Sequence, residues 1–345
     1  MSLLEGLNPQ QSAAVTHSGS PLLVVAGAGS GKTRVLTRRI AYLLAERNVA
    51  PYEILAITFT NKAANEMKER VITLVGNRAK AMWVSTFHSA CVRILRSEAA
   101  ALGYSNSFTI YDASDSLRLV TLVMKDMNLD PKRYNSRAIA GLISDAKNEL
   151  IGPADFVQNV KNQFDEIVAE VYAHYQKRLT SANAMDFDDL IGKTVELLQR
   201  HPEIRAKYRS RFKHILVDEY QDTNHAQYIL IRELVGVGFD GMPSAELCVV
   251  GDADQSIYAF RGANIRNILQ FEADFTEAKT LLLEQNYRST QNILSAANSV
   301  ISNNEGRKAK NLWSDAGAGD LLTGYVAEDE HDEADYVIRE IKHLR

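Results

Sequence analysis

The residues best placed for chemistry in this 345-residue chain form a glycine-rich segment between the apolar residues 22–25 and a helical pattern. The segment reads Ala26-Gly27-Ala28-Gly29-Ser30-Gly31-Lys32-Thr33. In a strand–loop–helix setting, the backbone N–H groups from Ala28 to Gly31 and the helix N-terminus point at phosphates. Lys32 would reach the β- and γ-phosphates, and the Thr33 hydroxyl would ligate Mg²⁺. Ala26 replaces the first glycine of the strict pattern. The alternative, a turn without a ligand, is disfavoured by this context.

A pair of adjacent acids, Asp218 and Glu219, ends another apolar run at residues 212–217. At a strand end, an aspartate can hold Mg²⁺ and a neighbouring glutamate can polarise the attacking water as a general base. Solvated acids are the alternative. The glycine-rich loop alone does not separate a kinase from a GTPase or a motor. The 186 positions between Lys32 and Asp218 favour a sheet domain that is interrupted by an insertion.

Short apolar runs recur along the chain, and most of them precede a helical pattern. We predict strands at residues 22–25, 54–58, 82–85, 214–217 and 246–250. Predicted helices follow the first, second and fourth strands at residues 32–46, 61–75 and 224–235. This alternation predicts a parallel α/β sheet, in which ligands bind at the carboxyl ends of the strands.

From residue 111 the alternation lapses, and helices are predicted at residues 114–127, 136–147 and 166–179. We predict a helical domain over residues 111–189, inserted between two parts of the sheet domain, residues 1–110 and 190–278. A new alternation follows, with strands at 280–283 and 321–325 and helices at 290–303 and 331–344. It predicts the start of a second sheet domain over residues 279–345 that breaks off at Arg345.

The composition, with 46% hydrophobic and 24% charged residues, is that of a globular protein. No apolar stretch reaches the roughly 18–20 residues of a membrane span, and the N-terminal residues lack a signal-peptide pattern. We therefore expect a cytoplasmic protein with no membrane partner. Cys91 and Cys248 are too few for a disulfide framework or a four-ligand zinc site, so we interpret both as buried thiols.

The formal net charge of −4 does not show the excess of lysine and arginine that is usual in nucleic-acid-binding proteins. The charges are segregated, however. Residues 61–96 carry seven Lys/Arg and two Asp/Glu, whereas residues 315–340 carry nine acids and one base. Any nucleic-acid contact is expected on a local surface.

Six strings together resemble the motifs of bacterial UvrD/PcrA/Rep helicases of superfamily 1, in the same order and over the whole chain. They are Thr58-Phe59-Thr60-Asn61-Lys62-Ala63-Ala64, Thr86-Phe87-His88-Ser89, Met185-Asp186-Phe187-Asp188-Asp189, Asp218-Glu219-Tyr220-Gln221-Asp222-Thr223, Val250-Gly251-Asp252-Ala253-Asp254-Gln255-Ser256-Ile257-Tyr258 and Gln285-Asn286-Tyr287-Arg288-Ser289. The resemblance implies a RecA-like P-loop NTPase sheet with a helical insertion domain and the start of a second RecA-like domain. ATP would lie between the two RecA-like domains. It also implies 3′→5′ movement on single-stranded DNA and duplex unwinding in repair or replication restart.

The resemblance also implies roles at the nucleotide. Gln11 would read the adenine edge, although Asn8-Pro9 beside it is equally a helix start. Tyr287 and Arg34 would sandwich the adenine. Arg288 would approach the γ-phosphate as an arginine finger. Gln255 would lie between the γ-phosphate and the DNA groove, so its contacts would change on hydrolysis.

The DNA track is expected from the same motifs. Phe59, Tyr258 and Phe260 are the stacking candidates, and Arg261 would make a polar or phosphate contact nearby. Phe260 stands where many relatives carry tryptophan, which would weaken that platform. Alone, the Tyr258/Phe260 alternation would fit a core strand equally well. The remaining candidates for DNA contact are Asn61, Thr86 and His88.

Two other classes of protein compete with the motor. A small-molecule phosphotransferase would use the same loop but would leave the Gln255 segment and its aromatic neighbours without a purpose. A non-catalytic DNA-binding or docking module is the other alternative, because later family motifs lie beyond Arg345. The fragment is accordingly expected to bind ATP, to hydrolyse it barely and not to unwind DNA. Single-stranded DNA and its junctions with duplex are the expected partners, on the bacterial nucleoid.

Overall fold

The computed structural model describes residues 3–236, 244–259, 262–304 and 307–345. The strands in this part of the chain are β1 (Leu22–Ala26), β2 (Ile54–Thr58), β3 (Trp83–Thr86), β4 (Thr109–Tyr111), β5 (Ala184–Asp186), β6 (His214–Val217), β7 (Glu246–Gly251) and β8 (Lys279–Leu283). Its α-helices are α1 (Pro9–Thr16), α2 (Lys32–Ala45), α3 (Asn61–Val75), α4 (Phe87–Glu98), α5 (Ala113–Asp126), α6 (Ser136–Asn148), α7 (Pro153–Val157), α8 (Gln163–Ser181), α9 (Phe187–Arg200), α10 (Pro202–Arg211), α11 (His225–Val235), α12 (Arg266–Leu269), α13 (Phe271–Asp274), α14 (Gln291–Ile301) and α15 (Glu330–His343).

Six strands form one parallel sheet in the order β3-β2-β6-β7-β1-β8. The side chains of β1 alternate between two cores, with Leu22 and Val24 on one face and Leu23 and Val25 on the other. Helices cover both faces, which explains why β1, β2 and β6 are buried along their whole lengths. The carboxyl ends of β1, β6 and β7 meet at one edge, where the glycine-rich loop and the acidic pair follow.

The region between β4 and β5 is helical and has a core of its own. Val120 of α5, Ile143 of α6 and Val171 of α8 are buried in it. β4 and β5 pair with each other in parallel, and α9 begins directly after β5. The chain therefore enters the helical region through β4 and leaves it through β5, and these two strands are neighbours.

The predicted parallel α/β architecture is confirmed. The strands at residues 54–58 and 214–217 and the helix at 61–75 have the predicted bounds, and the other predicted elements that form differ by at most three residues at an end. No helix in the described parts of the chain has both the length and the apolar character needed to cross a membrane.

One strand prediction is wrong in part, and another is wrong. The strand predicted to open a second sheet, β8, instead lies in the first sheet, where Leu281 pairs with Val24. Apolar periodicity identifies a strand but not its neighbour, and pairing with β8 covers what would otherwise be an open edge of β1. Residues 321–325, also predicted as a strand, have no strand partner in the described residues, and Leu321 and Leu322 are exposed.

Candidate nucleotide site and the cleft beside it

The glycine-rich loop joins β1 to α2 in a conformation that requires glycine. Gly29 and Gly31 have φ values of 68° and 87°, and Gly31 caps the N-terminus of α2. A Cβ atom on Gly29 would lie 2.6 Å from Asn286 Nδ2. The N-terminus of α2 and the loop N–H groups thus have the geometry of a turn that can bind an anion.

Gln11 lies beneath this loop and is completely buried. Its Nε2 donates to the Ser30 carbonyl oxygen over 2.9 Å, and its Oε1 accepts from the Asn8 backbone N–H over 3.1 Å. The second contact belongs to a capping box that begins α1. Gln11 therefore ties the loop to α1, and its contact with adenine stays a prediction.

The Asn286-Tyr287-Arg288 segment docks on the other side of the loop. Asn286 Nδ2 donates to the Ala28 carbonyl oxygen over 2.6 Å, and the Tyr287 N–H donates to that of Gly29 over 2.9 Å. Asn286 Oδ1 accepts the N–H groups of Arg288 and Ser289, both over 2.7 Å. The two hydrogen bonds to Ala28 and Gly29 fix the segment relative to the phosphate loop.

The side chains expected around adenine and γ-phosphate remain accessible. Tyr287 is half exposed, and its hydroxyl accepts a hydrogen bond from Asn8 and donates to Gln285 Oε1. Arg34 and Arg288 are exposed, and neither guanidinium makes a hydrogen bond or ion pair with a described residue. Both cations are available to a ligand.

Glu219 faces the loop from the end of β6. Its Oε2 lies 3.0 Å from Lys32 Nζ, which also lies 3.4 Å from Gln255 Oε1. The Glu219 backbone is left-handed, with φ 48° and ψ 45°. A non-glycine residue in this region is strained, and such strain is typical of residues held for a function.

Asp218 is buried beside Glu219. Its Oδ1 accepts the Glu219 N–H over 3.0 Å. Burial, reinforced by the negative charge of Glu219, raises the pKa of Asp218 to about 6. The Thr33 hydroxyl makes no hydrogen bond with a described residue. A buried carboxylate that makes no ion pair with a described residue, and a hydroxyl on the phosphate loop, are oxygen donors of the kind that a hard cation such as Mg²⁺ prefers.

A cleft of 920 Å³ extends from this site toward α6 of the helical region. Glu219 and Gln255 line one part of it, and Phe59, His88 and Tyr258 line another. Glu219 and Gln255 thus share one cavity with three of the predicted DNA residues.

The aromatic residues of the cleft are partly exposed. Phe59 packs edge-to-face on Phe87 with ring centroids 5.8 Å apart, and Tyr258 is 38% exposed. His88 packs on Phe187 at 5.5 Å, and burial lowers its pKa. Phe59 and Tyr258 thus remain partly accessible, as a stacking platform requires.

Of the other predicted DNA residues, two do not line the cleft and two lie outside the described residues. Asn61 is exposed in the first turn of α3 and does not line the cleft. Thr86 caps α4 by accepting the Ser89 N–H over 3.2 Å. Phe260 and Arg261 lie outside the described residues.

Two family models match this chain. Residues 7–276 match the family model described as UvrD/REP helicase N-terminal domain, and residues 281–345 match that of the UvrD-like helicase C-terminal domain. The chain belongs to the UvrD/REP helicase family. Its parallel sheet agrees with the RecA-like core predicted for that family.

Among the relatives of this UvrD/REP chain is the ATP-dependent DNA helicase UvrD1 of Mycobacterium tuberculosis, 64% identical over 347 residues. Another is the ATP-dependent DNA helicase PcrA of Bacillus subtilis, 52% identical over 342 residues. The alignments cover 99% of this chain but only 45% of the UvrD1 protein and 46% of the PcrA protein. The chain therefore spans a little under half the length of these relatives.

Two residues of the UvrD/REP site, Asn286 and Gln221, were not predicted individually. Gln221 is buried, and its Nε2 donates to Glu219 Oε2 over 3.0 Å and to Asp222 Oδ2 over 3.2 Å, while its Oε1 accepts the Asp252 N–H over 2.9 Å. It joins Glu219 and Asp222 to the residue that follows β7. Both residues occur within the motif strings, but only the fold shows what their amides contact.

Proposed function

We propose that this chain binds ATP with Mg²⁺ and takes part in its hydrolysis, as the nucleotide-binding part of an ATP-dependent DNA helicase. The observation that carries the proposal is the turn from Gln255 to Tyr258. At its start, Gln255 Oε1 lies 3.4 Å from Lys32 Nζ, and three residues later Tyr258 lines the aromatic part of the cleft. A change at the γ-phosphate can therefore be passed to DNA through one short segment.

Lys32 and Glu219 form an ion pair with a separation of 3.0 Å. A triphosphate would compete for Lys32 and free the Glu219 carboxylate to accept a proton from the attacking water. Mg²⁺ held by Asp218 and Thr33 would neutralise phosphate charge. Arg288, docked beside the loop through Asn286, would stabilise charge that develops on the transferred phosphoryl group.

The cleft suits the bases of a single strand better than its phosphates. Its described lining contains the acids Asp145, Asp188, Glu219, Asp222 and Asp254 and no lysine or arginine. Glu219 and Asp254 are paired with cations, but Asp145, Asp188 and Asp222 make no ion pair with a described residue. These three acids would repel phosphates, whereas uncharged bases can stack on Phe59 and Tyr258. We propose that the phosphates face outward, and that the full motor moves 3′→5′ and unwinds duplex at junctions on the bacterial nucleoid, in repair or replication restart.

DNA-stimulated ATP hydrolysis tests the proposed function. We would measure it on the 345-residue chain and on a version lengthened to the size of its relatives, with and without single-stranded oligonucleotide. Stimulation by DNA supports the motor. We expect the shorter chain to bind nucleotide but to turn it over slowly and not to unwind duplex. Unstimulated transfer of phosphate to a small-molecule acceptor would favour a phosphotransferase and overturn the proposal.

Lys32→Ala is expected to weaken binding of a fluorescent ATP analogue by about 10–100-fold, because charge-assisted hydrogen bonds contribute roughly 1.5–3 kcal/mol. Fluorescence titration measures the change, and circular dichroism checks the fold. Lys125→Ala is the matched control, because Lys125 is an exposed lysine of α5. Parental affinity in folded Lys32→Ala would mean that the loop does not bind phosphate.

Phe59→Ala and Tyr258→Ala should each weaken oligonucleotide binding by about 1–3 kcal/mol, with little dependence on base sequence, because each removes a stacking platform. The same is predicted for Phe260→Ala. Fluorescence anisotropy with homopolymeric oligonucleotides measures the loss, and Tyr52→Ala, an exposed tyrosine outside the cleft, is the control. Unchanged affinity in every variant would assign these rings to packing.

A further inference from the structure

A buried ion-pair cluster joins the segment after α14 to the turn after β7. Lys310 Nζ pairs with the carboxylates of both Asp252 and Asp254. Arg307 binds Asp254 through two bonds, Nε to Oδ1 at 3.0 Å and Nη2 to Oδ2 at 2.7 Å. Lys310 and Asp252 are only 4% and 2% exposed, so these charges are held away from solvent.

The cluster continues directly to Gln255. Gln255 Nε2 donates to Asp252 Oδ2 over 2.6 Å, while Asp252 Oδ1 faces Lys310 and the Asp254 N–H. An ionised carboxylate can only accept hydrogen bonds, so it binds the NH₂ end of the Gln255 amide and not the oxygen end. The amide oxygen is thereby turned toward Lys32 Nζ.

Simple stabilisation is a weak explanation for this cluster. Burying several charges is expensive, and well-packed apolar residues commonly stabilise a fold as well as a buried ion pair does. The two cations also belong to the region that matches the C-terminal family domain, whereas the two aspartates belong to the N-terminal one. The same segment also packs on the phosphate loop. The Leu312 side chain lies so close to Gly27 that a Cβ atom on Gly27 would overlap it.

We propose that Lys310 and Arg307 are positioning residues for hydrolysis: they hold Asp252 and Asp254 so that the Gln255 oxygen faces the γ-phosphate only while residues 307–313 are docked. Lys310 acts through Asp252 and touches no reacting atom. In this arrangement, movement of residues 281–345 would change the position of the Gln255 amide. The inference rests on the proposed ATPase function.

Lys310→Met, which retains length and removes charge, should lower the single-turnover hydrolysis rate by about 10–100-fold, the effect of a misplaced reacting group. ATP-analogue affinity should stay near parental, because the phosphate loop is unchanged. Lys310→Arg should recover most of the rate. Lys342→Met is the matched control, because Lys342 is an exposed lysine of α15, outside residues 307–313, and its rate should match the parent.

A double mutant separates positioning from general stability. If Lys310 acts through Gln255, then Lys310→Met combined with Gln255→Ala should hydrolyse ATP no more slowly than Gln255→Ala alone. Arg307→Gln should show the same non-additivity with a smaller single effect, and it provides the test if Lys310→Met does not fold. If the rate reductions of the two single substitutions multiplied in the folded double mutants, the inference would be overturned.

The outcomes also separate this inference from the proposed function. A parent chain that binds and hydrolyses no ATP, alone or lengthened, overturns both. A parent that hydrolyses ATP while folded Lys310→Met and Arg307→Gln keep the parental rate overturns only the positioning role.

Discussion

Arg288→Ala is expected to slow ATP hydrolysis by about 10³–10⁵-fold while leaving nucleotide affinity nearly unchanged, the effect typical of a lost arginine finger. The backbone of Arg288 is fixed, because its N–H donates to Asn286 Oδ1, and Asn286 in turn binds the phosphate loop. Its guanidinium is exposed and has no partner among the described residues. A cation that is anchored at the backbone and unpaired at its tip is free to meet charge that develops in the transition state.

The measurement pairs single-turnover hydrolysis with titration of a fluorescent ATP analogue, on the chain lengthened to the size of its relatives. Arg288→Lys should recover only part of the rate, because lysine keeps the charge without the planar fork of donors. Arg118→Ala, at an exposed arginine of α5, is the control. Equal losses in affinity and in kcat/KM would instead show that Arg288 binds ground state and transition state alike.

The sequence predicted the large sheet well, because its signals are local. β1, β2 and β6 are short apolar runs buried on both faces, and such runs need no knowledge of the partner strand to be recognised. Lys32 and Asp218 could be placed together for the same reason. Each follows a parallel strand, and the carboxyl ends of parallel strands share one edge.

Features that depend on distant partners could not be predicted. The residues of β8 predict a strand but not the sheet to which it belongs, since nothing in them indicates pairing with β1. The role of Gln221 rests on the Asp252 N–H, 31 positions away, and that of Asn286 on the Ala28 carbonyl oxygen, 258 positions away. Amide side chains bind many kinds of partner, so their residue type alone does not reveal the contact.

The left-handed backbone of Glu219 also has no signal in the sequence. Glutamate is rarely found there, because its Cβ is crowded by the backbone. The surrounding contacts fix it: the Glu219 N–H is bound by Asp218, and its carboxylate is bound by Lys32 and Gln221. A strained backbone that several neighbouring groups hold in place is typical of a residue whose side-chain position serves a function at a cost in local stability.

Glu219→Gln is expected to keep ATP affinity and to lower turnover by on the order of 10²-fold or more, the usual effect of a lost general base. Lys32 and Gln221 both donate to the same oxygen of Glu219, Oε2. The single oxygen of glutamine can take that place, so the site keeps its shape. The group lost is Oε1, which becomes an NH₂ that cannot accept a proton from water.

Single-turnover hydrolysis and analogue binding on the same preparation distinguish the two effects of this substitution. Glu219→Asp, which keeps a carboxylate on a shorter stem, should fall between the parent and Glu219→Gln. Glu170→Gln, at an exposed glutamate of α8, controls for loss of a negative charge. If Glu219→Gln lost ATP binding with no separate loss of turnover, the base would have to be another group. Asp222 would then be the residue to test, because it lines the same cleft and burial raises its pKa to about 6.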